Sequence, residues 1–476
     1  MFQRYPDREW GTFFRFGFRR TSRGVSVYFI DALWPQAGDL DRQSDLTKFD
    51  ALYAKRAFHT AARSDGLAIG VAHSHPVGCR TSPSLLDDDM DRYFGEELEA
   101  YGAGKPYCSL IFEHNTRGGL SFSGRLYDRG EWLAVTSLVT AGNHVARMQS
   151  QLAPLENEQV NCATTDRLAS LMGDSSARRL RHSAVGVIGC SGTGSPAIEV
   201  LARAGVGEFI LVDPDHLGES NLERVHGSQR RHVELSEKPL KVELMREMIH
   251  SINPHASVAA FAGNVLHANV IDHLVRTDVV LGCTDTAHGR VALDDLSRHH
   301  LVTCLDVGVL MNGKNGRVTD QVIDITMLSP GLPCLFCRGK VDAFKLSYEL
   351  MPEREREERE KLAHDAAARG VEPDQYWQGK PRQLHTVGYL TTTAGALVAG
   401  YTEGILTGTF SPPHYDQQFD IAQQRFGFAA PPILARENCV CQKHLGWGEA
   451  ALAFKNASLP RHWGQRAVQI AGAKVT

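Results

Sequence analysis

No stretch of this 476-residue chain approaches the ~20 uninterrupted apolar residues that a helix needs to cross a bilayer. An excess of either charge is also missing. Lys and Arg number 51 against 55 Asp and Glu, for a formal net charge of -4. That balance removes any compositional case for a protein that coats nucleic acid. The opening MFQRYPDREWGTFFRF carries acids and no apolar core of the kind a secretory leader has. The expectation is a cytoplasmic protein without nucleic-acid or membrane partners. Ten cysteines in a chain without a leader point to a reducing compartment, where they act as metal ligands, nucleophiles or core residues. The 42% hydrophobic and 22% charged content is ordinary for a globular protein, and at roughly 150 residues per domain the length allows two or three domains.

Three regions read differently. Residues 1–135 alternate short β-rich runs (GVSVYFI, LAIGVAHSH, YCSLIF) with one helical stretch, SLLDDDMDRYFGEELEAY, which predicts a compact α/β domain. Residues 136–160 read as a helical connector, with LVTAGNHVARMQSQL as its best segment. From 161 to 476 a parallel-sheet pattern takes over: SAVGVIG, EFILVD and DVVLGCTD are apolar strands, and SPAIEVLARAG is a helix closed by glycine. The charge run Arg354 to Lys361 reads as a solvated helix or loop.

In the first region, Val71-Ala72-His73-Ser74-His75-Pro76 ends a strand. Side chains two apart share a strand face, so His73 and His75 can reach one metal ion. A loop leads to Ser84 and a helix whose first turn holds Asp87, Asp88 and Asp89. Two imidazoles and one carboxylate leave a fourth zinc position open, as a catalytic zinc requires. The alternative is that the acids only complement a helix N-terminus. His-Ser-His-Pro, then Ser-x-x-Asp, with Glu9 upstream, resembles the JAMM (MPN+) metalloproteases, which cleave isopeptide bonds to ubiquitin-like proteins. The resemblance implies that His73, His75 and Asp87 hold zinc, with Asp88 as the fallback. It also implies that Glu9 is the general acid/base and that Ser84 steadies the oxyanion. Eight residues separate His75 from Ser84, one more than the family usually has.

In the third region, Gly186-Val187-Ile188-Gly189-Cys190-Ser191-Gly192-Thr193-Gly194 follows a strand and opens a helix. Glycines there let backbone approach phosphate, and the helix N-terminus presents free N–H groups. Ser191 stands where the strict dinucleotide spacing has its second glycine. The next strand ends in Asp213, placed for ribose hydroxyls; Ser220-Asn221-Leu222-Glu223-Arg224, Lys238-Pro239-Leu240-Lys241 and Gly282-Cys283-Thr284-Asp285 follow. This ordered set resembles the ThiF/MoeB and ubiquitin-activating superfamily, which adenylates the C-terminal glycine of a ubiquitin-like protein. The fold implied is Rossmann-like and doubly wound. By resemblance, Gly189, Gly192 and Gly194 cradle ATP, Asp213 binds ribose, Asn221, Arg224 and Lys241 surround the triphosphate, and Asp285 holds magnesium. Arg167 fits the arginine that reaches a partner's ATP across a homodimer. Val225 and Thr286 depart from the family pattern, and so does the KPLK spacing.

Cys334-x-x-Cys337 and Cys439-x-Cys441 predict a closed structural zinc site, with a redox pair as the alternative. Relatives place a thioester cysteine on a late crossover loop, but Met351 to Leu384 contains none. The reading is therefore a fused enzyme. One part activates a ubiquitin-like protein with ATP and magnesium, and a zinc protease part processes that modifier, with a conjugating enzyme or a sulfur donor as further partner. The alternatives are a sulfur-carrier adenylyltransferase and a docking scaffold with a degenerate protease domain.

Overall fold

The computed structural model describes residues 8–470 except 22–23, 44–45, 65, 80, 102–103, 115–118, 141–145, 152–164, 371–385, 411, 413–414, 429–432 and 452–458. The chain divides into two compact units, Met1–Gln159 with His444–Leu452, and Val160–Lys443 with Ala453–Thr476.

The first unit runs β1 (Trp10–Thr21), β2 (Gly24–Leu33), the short pair β3 (Leu40–Gln43) and β4 (Leu46–Phe49), α1 (Ala51–Arg63), β5 (Ala68–Ser74), α2 (Leu85–Tyr101), β6 (Tyr107–His114), β7 (Leu120–Asp128) and β8 (Glu131–Ala134). Its main sheet has the order β2-β1-β5-β6-β7-β8. The run WGTFFRFGF in β1 shows why this strand is central. Phe13 packs into one cluster with Tyr53, Ile69, Val71, Phe94 and Tyr107, while Phe14, Phe16 and Phe18 join Ala68, Cys108 and Leu126 in another. Alternation sends consecutive aromatics to opposite faces, and both faces are covered.

The expected helix in the connector is corrected. Ser137–Thr140 and Ala146–Gln149 are two antiparallel strands, β9 and β10, of the first unit. SLVT and ARMQ each pair with the other, and cross-strand pairing outweighed a helical pattern that rested on few apolar residues. The boundary at the C-terminal side also differs from the single 161–476 block. Residues 444–452 return to the first unit, where Gly448 bridges Phe18 and the Glu449 N–H donates to the Phe18 carbonyl at 2.7 Å. A Cβ at Gly17 would lie 2.2 Å from the Gly446 carbonyl oxygen, so this approach requires glycine.

The second unit begins with α3 (Asp166–Met172) and α4 (Asp174–Arg181). It continues β11 (Ala184–Ile188), α5 (Gly194–Arg203), β12 (Glu208–Val212), a single turn α6 (Arg230–Val233), α7 (Lys241–Ile252), β13 (Ser257–Ala262), α8 (Ala268–Leu274), β14 (Val279–Gly282), α9 (Ala287–His300), β15 (Thr303–Lys314) and β16 (Arg317–Leu328). After α10 (Ala343–Glu349) and α11 (Glu353–Ala368) come α12 (Gly388–Thr407), β17 (Asp416–Asp420), β18 (Arg425–Phe428) and β19 (Val468–Gln469). The sheet order is β18-β17-β16-β15-β14-β11-β12-β13-β19. Strands β15, β14, β11, β12 and β13 are mutually parallel, and the outer ones pair antiparallel. Buried on both faces, β11, β12 and β14 are fully buried strands, which explains their uninterrupted apolar sequences. Strand order reverses at β11, so a crevice opens between the ends of β11 and β14. The run Arg354 to Lys361 lies in the exposed helix α11. No helix among the described residues is long and apolar enough to cross a membrane.

Candidate functional site

The loop from Gly189 to Gly194 leaves β11 at that reversal and enters α5. Its shape is set by backbone. Gly189 has φ +93°, and a Cβ there would sit 2.4 Å from the Cys283 carbonyl oxygen; one at Gly194 would sit 1.9 Å from the Gly189 oxygen. Gly192 faces Arg224 and Thr391, each 3.1 Å from where its Cβ would be. The glycine loop, the end of β14 and Arg224 are thus brought together, leaving N–H groups at the start of α5 for an anion.

Asp213 directly follows β12 and is buried. Its Oδ2 accepts the Cys190 N–H at 2.8 Å and its Oδ1 the Asp215 N–H at 2.9 Å, so the carboxylate ties its strand to the loop. Each oxygen keeps a second lone pair for a hydroxyl donor. Burial pushes this carboxyl above its ordinary range, against the pull of Lys241, whose Nζ lies 3.9 Å away. Lys241, the first residue of α7, is buried and also pairs with Asp215 at 2.7 Å. Asp215 stands two residues after Asp213 in the sequence, which by itself gives it no role. Asn221 is buried and accepts the Gly218 N–H. Arg224 Nη1 points at the Thr386 carbonyl, 3.2 Å away. Asp285 is exposed just before α9, with its carbonyl held by Lys345 Nζ at 2.6 Å. Glu349 caps α9 by accepting the Ala287 and His288 N–H groups and contacts His288 Nδ1 at 2.7 Å. No sequence signal links Glu349 to residues sixty positions earlier. Arg167 lies exposed on α3.

Cys190 and Cys283 flank the loop, and neither is a ready thiolate. Burial pushes Cys190 well above an ordinary thiol and Cys283 up to about 12. Cys108 is buried in β6, and Cys162 lies outside the described residues.

Two clusters are built like metal sites. Cys334, Cys337, Cys439 and Cys441 have their sulfurs within 4.8 Å of one another. Cys334 to Cys439 is 3.7 Å and Cys337 to Cys441 is 3.9 Å. A tetrahedron of ~2.3 Å zinc–sulfur bonds has edges of about 3.8 Å, so the four residues fit zinc. The Arg436 N–H and Gln442 Nε2 donate to Cys337 and Cys441, stabilising thiolate character. Burial works to raise Cys439, yet hydrogen bonds from Cys441, Cys337 and Cys334 bring it below an ordinary thiol.

In the first unit, His73, His75 and Asp87 also have ligand atoms within 4.8 Å of one another. His73 Nε2 is 3.2 Å and His75 Nε2 3.9 Å from Asp87 carboxylate oxygens. Both ring nitrogens of His73 are buried without a well-aligned hydrogen bond. A buried imidazole whose one polar contact is a carboxylate shared with a second imidazole fits a metal better than it fits a finished core. Glu9 reaches the site through sheet register. Trp10 pairs with Ser74 across β1 and β5, and one further step sets Glu9 opposite His75, with Oε1 3.8 Å from Nε2. Ser84 donates its hydroxyl to Asp87 Oδ2 at 2.7 Å, so it orients that carboxylate. Burial would raise Asp87, but His73 and Ser84 hold it well below the usual carboxylate range. The fallback ligand Asp88 is corrected. It is bound by Arg125, which also grips the buried Asp91 at 2.6 Å, so its carboxylate is committed elsewhere.

Comparison with known proteins bears on the second unit. The adenylyltransferase and sulfurtransferase UBA4 of Kluyveromyces lactis is 34% identical over 132 residues, 28% of each chain. UBA4 of Saccharomyces cerevisiae is 30% identical over 160 residues, 33% of this chain and 34% of that protein. The matches thus span about a third of those relatives' length. Among solved structures, Escherichia coli MccB with ATP superposes with a TM-score of 0.42 at 15% identity, covering 60% of this chain and 75% of that one. PaaA gives 0.42 at 14%, covering 58% and 86%. Residues 165–443, more than half of the chain and the whole of the glycine-loop crevice, match the ThiF family, to which this chain therefore belongs.

Proposed function

We propose that this chain is an ATP-dependent adenylyltransferase for the C-terminal glycine of a ubiquitin-like or sulfur-carrier protein. The observation that carries the reading is the glycine loop at the β11–β14 crevice, with Asp213, Lys241 and Arg224 around it. The terminal carboxylate attacks the α-phosphorus of ATP, the bond to the β-phosphate oxygen breaks, and pyrophosphate leaves. A carboxylate meets a polyanion in this step, so Arg224, Lys241 and the N–H groups of α5 neutralise developing charge. Asp213 holds the ribose. Asp285 would hold magnesium, which would supply further charge neutralisation when bound. Arg167 completes the site of a second copy in a homodimer.

Relatives named adenylyltransferase and sulfurtransferase favour sulfur transfer over lysine conjugation as the fate of the adenylate. With a carrier ending in glycine, Asp285→Ala is expected to lower exchange of labelled pyrophosphate into ATP by about 10²- to 10³-fold. Undiminished exchange overturns the assignment. Mass analysis of the reacted carrier separates the fates: a thiocarboxylate supports sulfur transfer, an amide to lysine supports conjugation.

A second activity is proposed for the first unit on the geometry of His73, His75, Asp87 and Glu9: zinc-dependent hydrolysis of the bond joining such a modifier to its target. Zinc bound there would polarise the scissile carbonyl and acidify water. Glu9 moves the proton to the leaving amine. Two equivalents of zinc in the purified protein support this activity; one equivalent, at the four cysteines, supports a docking scaffold. Isopeptidase activity that survives Glu9→Ala contradicts the assigned proton carrier.

A further inference from the structure

No cysteine lies between Met351 and Leu384, and of the two thiols flanking the glycine loop Cys190 is buried and Cys283 half-buried. Hydroxyls also border this crevice. Two such hydroxyls differ in kind. Thr386 lies against a cation, with Arg224 Nη1 3.5 Å from its hydroxyl and 3.2 Å from its carbonyl. Thr392, in the second turn of α12, directs its hydroxyl to His226 Nε2 at 3.0 Å, and His226 Nδ1 lies 2.8 Å from Glu199 Oε2. Its neighbours Thr391 and Thr393 instead return their hydroxyls to carbonyls of their own helix. Hydroxyl, imidazole and carboxylate in hydrogen-bonded series is the arrangement that activates a weak oxygen nucleophile.

Glu199 and Thr392 stand on helices that border the loop, and His226 is tied to one of them. Glu199 is on α5, the helix the loop opens. The His226 N–H donates to the buried Ser195 Oγ at 3.0 Å, one residue beyond Gly194. Thr391 Oγ1 is 3.1 Å from the position of a Cβ on Gly192. Thr392 is the next residue along α12, the helix that borders the loop. The imidazole is 31% exposed, which leaves the series open to a reagent.

We propose that Thr392 is an acyl acceptor for the adenylate formed in this crevice, activated by His226. The inference rests on the adenylation reading. His226 Nε2 takes the hydroxyl proton as Thr392 Oγ1 bonds to the carbonyl carbon of the acyl adenylate. The bond from that carbon to the phosphate oxygen breaks, AMP departs with the electron pair, and an oxygen ester remains. Glu199 is a positioning residue: it holds the proton on Nδ1 and so leaves Nε2 as the acceptor.

The test uses the full chain and a dye-bearing fluorophosphonate, which forms a phosphorus–oxygen bond with an activated hydroxyl as fluoride leaves. Peptide mapping is expected to find the adduct on Thr392. Labelling falls at least tenfold in His226→Ala and Glu199→Gln, vanishes in Thr392→Val, and persists in Thr392→Ser. Circular dichroism melts check that each variant folds. Labelling of Thr392→Val equal to wild type, or adducts only at other residues, overturns the proposal. Pyrophosphate exchange is measured in parallel on the wild-type protein, with a synthetic peptide ending in Gly-Gly. Exchange without a Thr392 adduct refutes the acceptor alone. An adduct without exchange refutes the adenylation reading and, with it, the acyl source.

Discussion

The two units hold their polar groups ready by different means. In the second unit the proposed anion site is made of backbone: strand ends, a glycine loop and the first N–H groups of α5. Its side chains Asp213 and Lys241 brace that backbone as much as they face a ligand. In the first unit the triad of His73, His75 and Asp87 is made of side chains, each aimed by another side chain or by sheet register. A backbone site tolerates substitutions that spare the N–H groups, which is how Ser191, Val225 and Thr286 coexist with an intact crevice. A side-chain site has no such slack, because each ligand is a single chemical group.

The largest expected effect tests how far the second unit would depend on a metal at its four cysteines. Cys334→Ser, or chelation of zinc from the four cysteines, should cost more than about 5 kcal/mol and remove that unit's calorimetric transition while the first unit's remains. Retention of both transitions would break the comparison. Next, Lys241→Met should reduce pyrophosphate exchange about 10²- to 10³-fold, whereas Ser191→Gly, which keeps every N–H, should stay within about threefold of wild type. An equal loss in both would show that side chains govern the crevice after all. In the first unit, His73→Ala should lower zinc affinity at least about 100-fold, measured by competition with a chromophoric chelator, with little change in melting temperature. The smallest effect concerns Glu403 on α12, whose carboxyl burial pushes up to about 7. Its folded state holds a proton that the unfolded chain releases near pH ~4.5, so stability declines as pH rises from there to about 7. Glu403→Gln should remove that slope, raising stability by about 1–3 kcal/mol at pH 8 and by nothing near pH 4, as followed by thermal melts.

Much of the second unit was legible because its strands are buried on both faces and written as unbroken apolar runs, each followed by the loop that carries chemistry. His73 and His75 were legible for the same local reason, strand alternation. Asp87 was legible only as one of two acids, since nothing in Asp-Asp reveals which carboxylate Arg125 will claim. The segment 137–149 misled because four-residue strands carry too few side chains to display a period, and their pairing is decided across the hairpin. Glu349 on His288, and Glu199 on His226 and Thr392, have no local signature at all.

By itself the amino-acid order determined which residues could perform chemistry and on which face of a strand or end of a helix each would stand, because those are properties of neighbours a few positions apart. Which of them meet was decided by tertiary structure alone. The register of β1 on β5 carried Glu9 to His75, and the return of the chain after β18 brought two cysteine pairs a hundred residues apart within reach of one ion. Such meetings depend on summed packing over the whole core, which no short stretch of sequence contains.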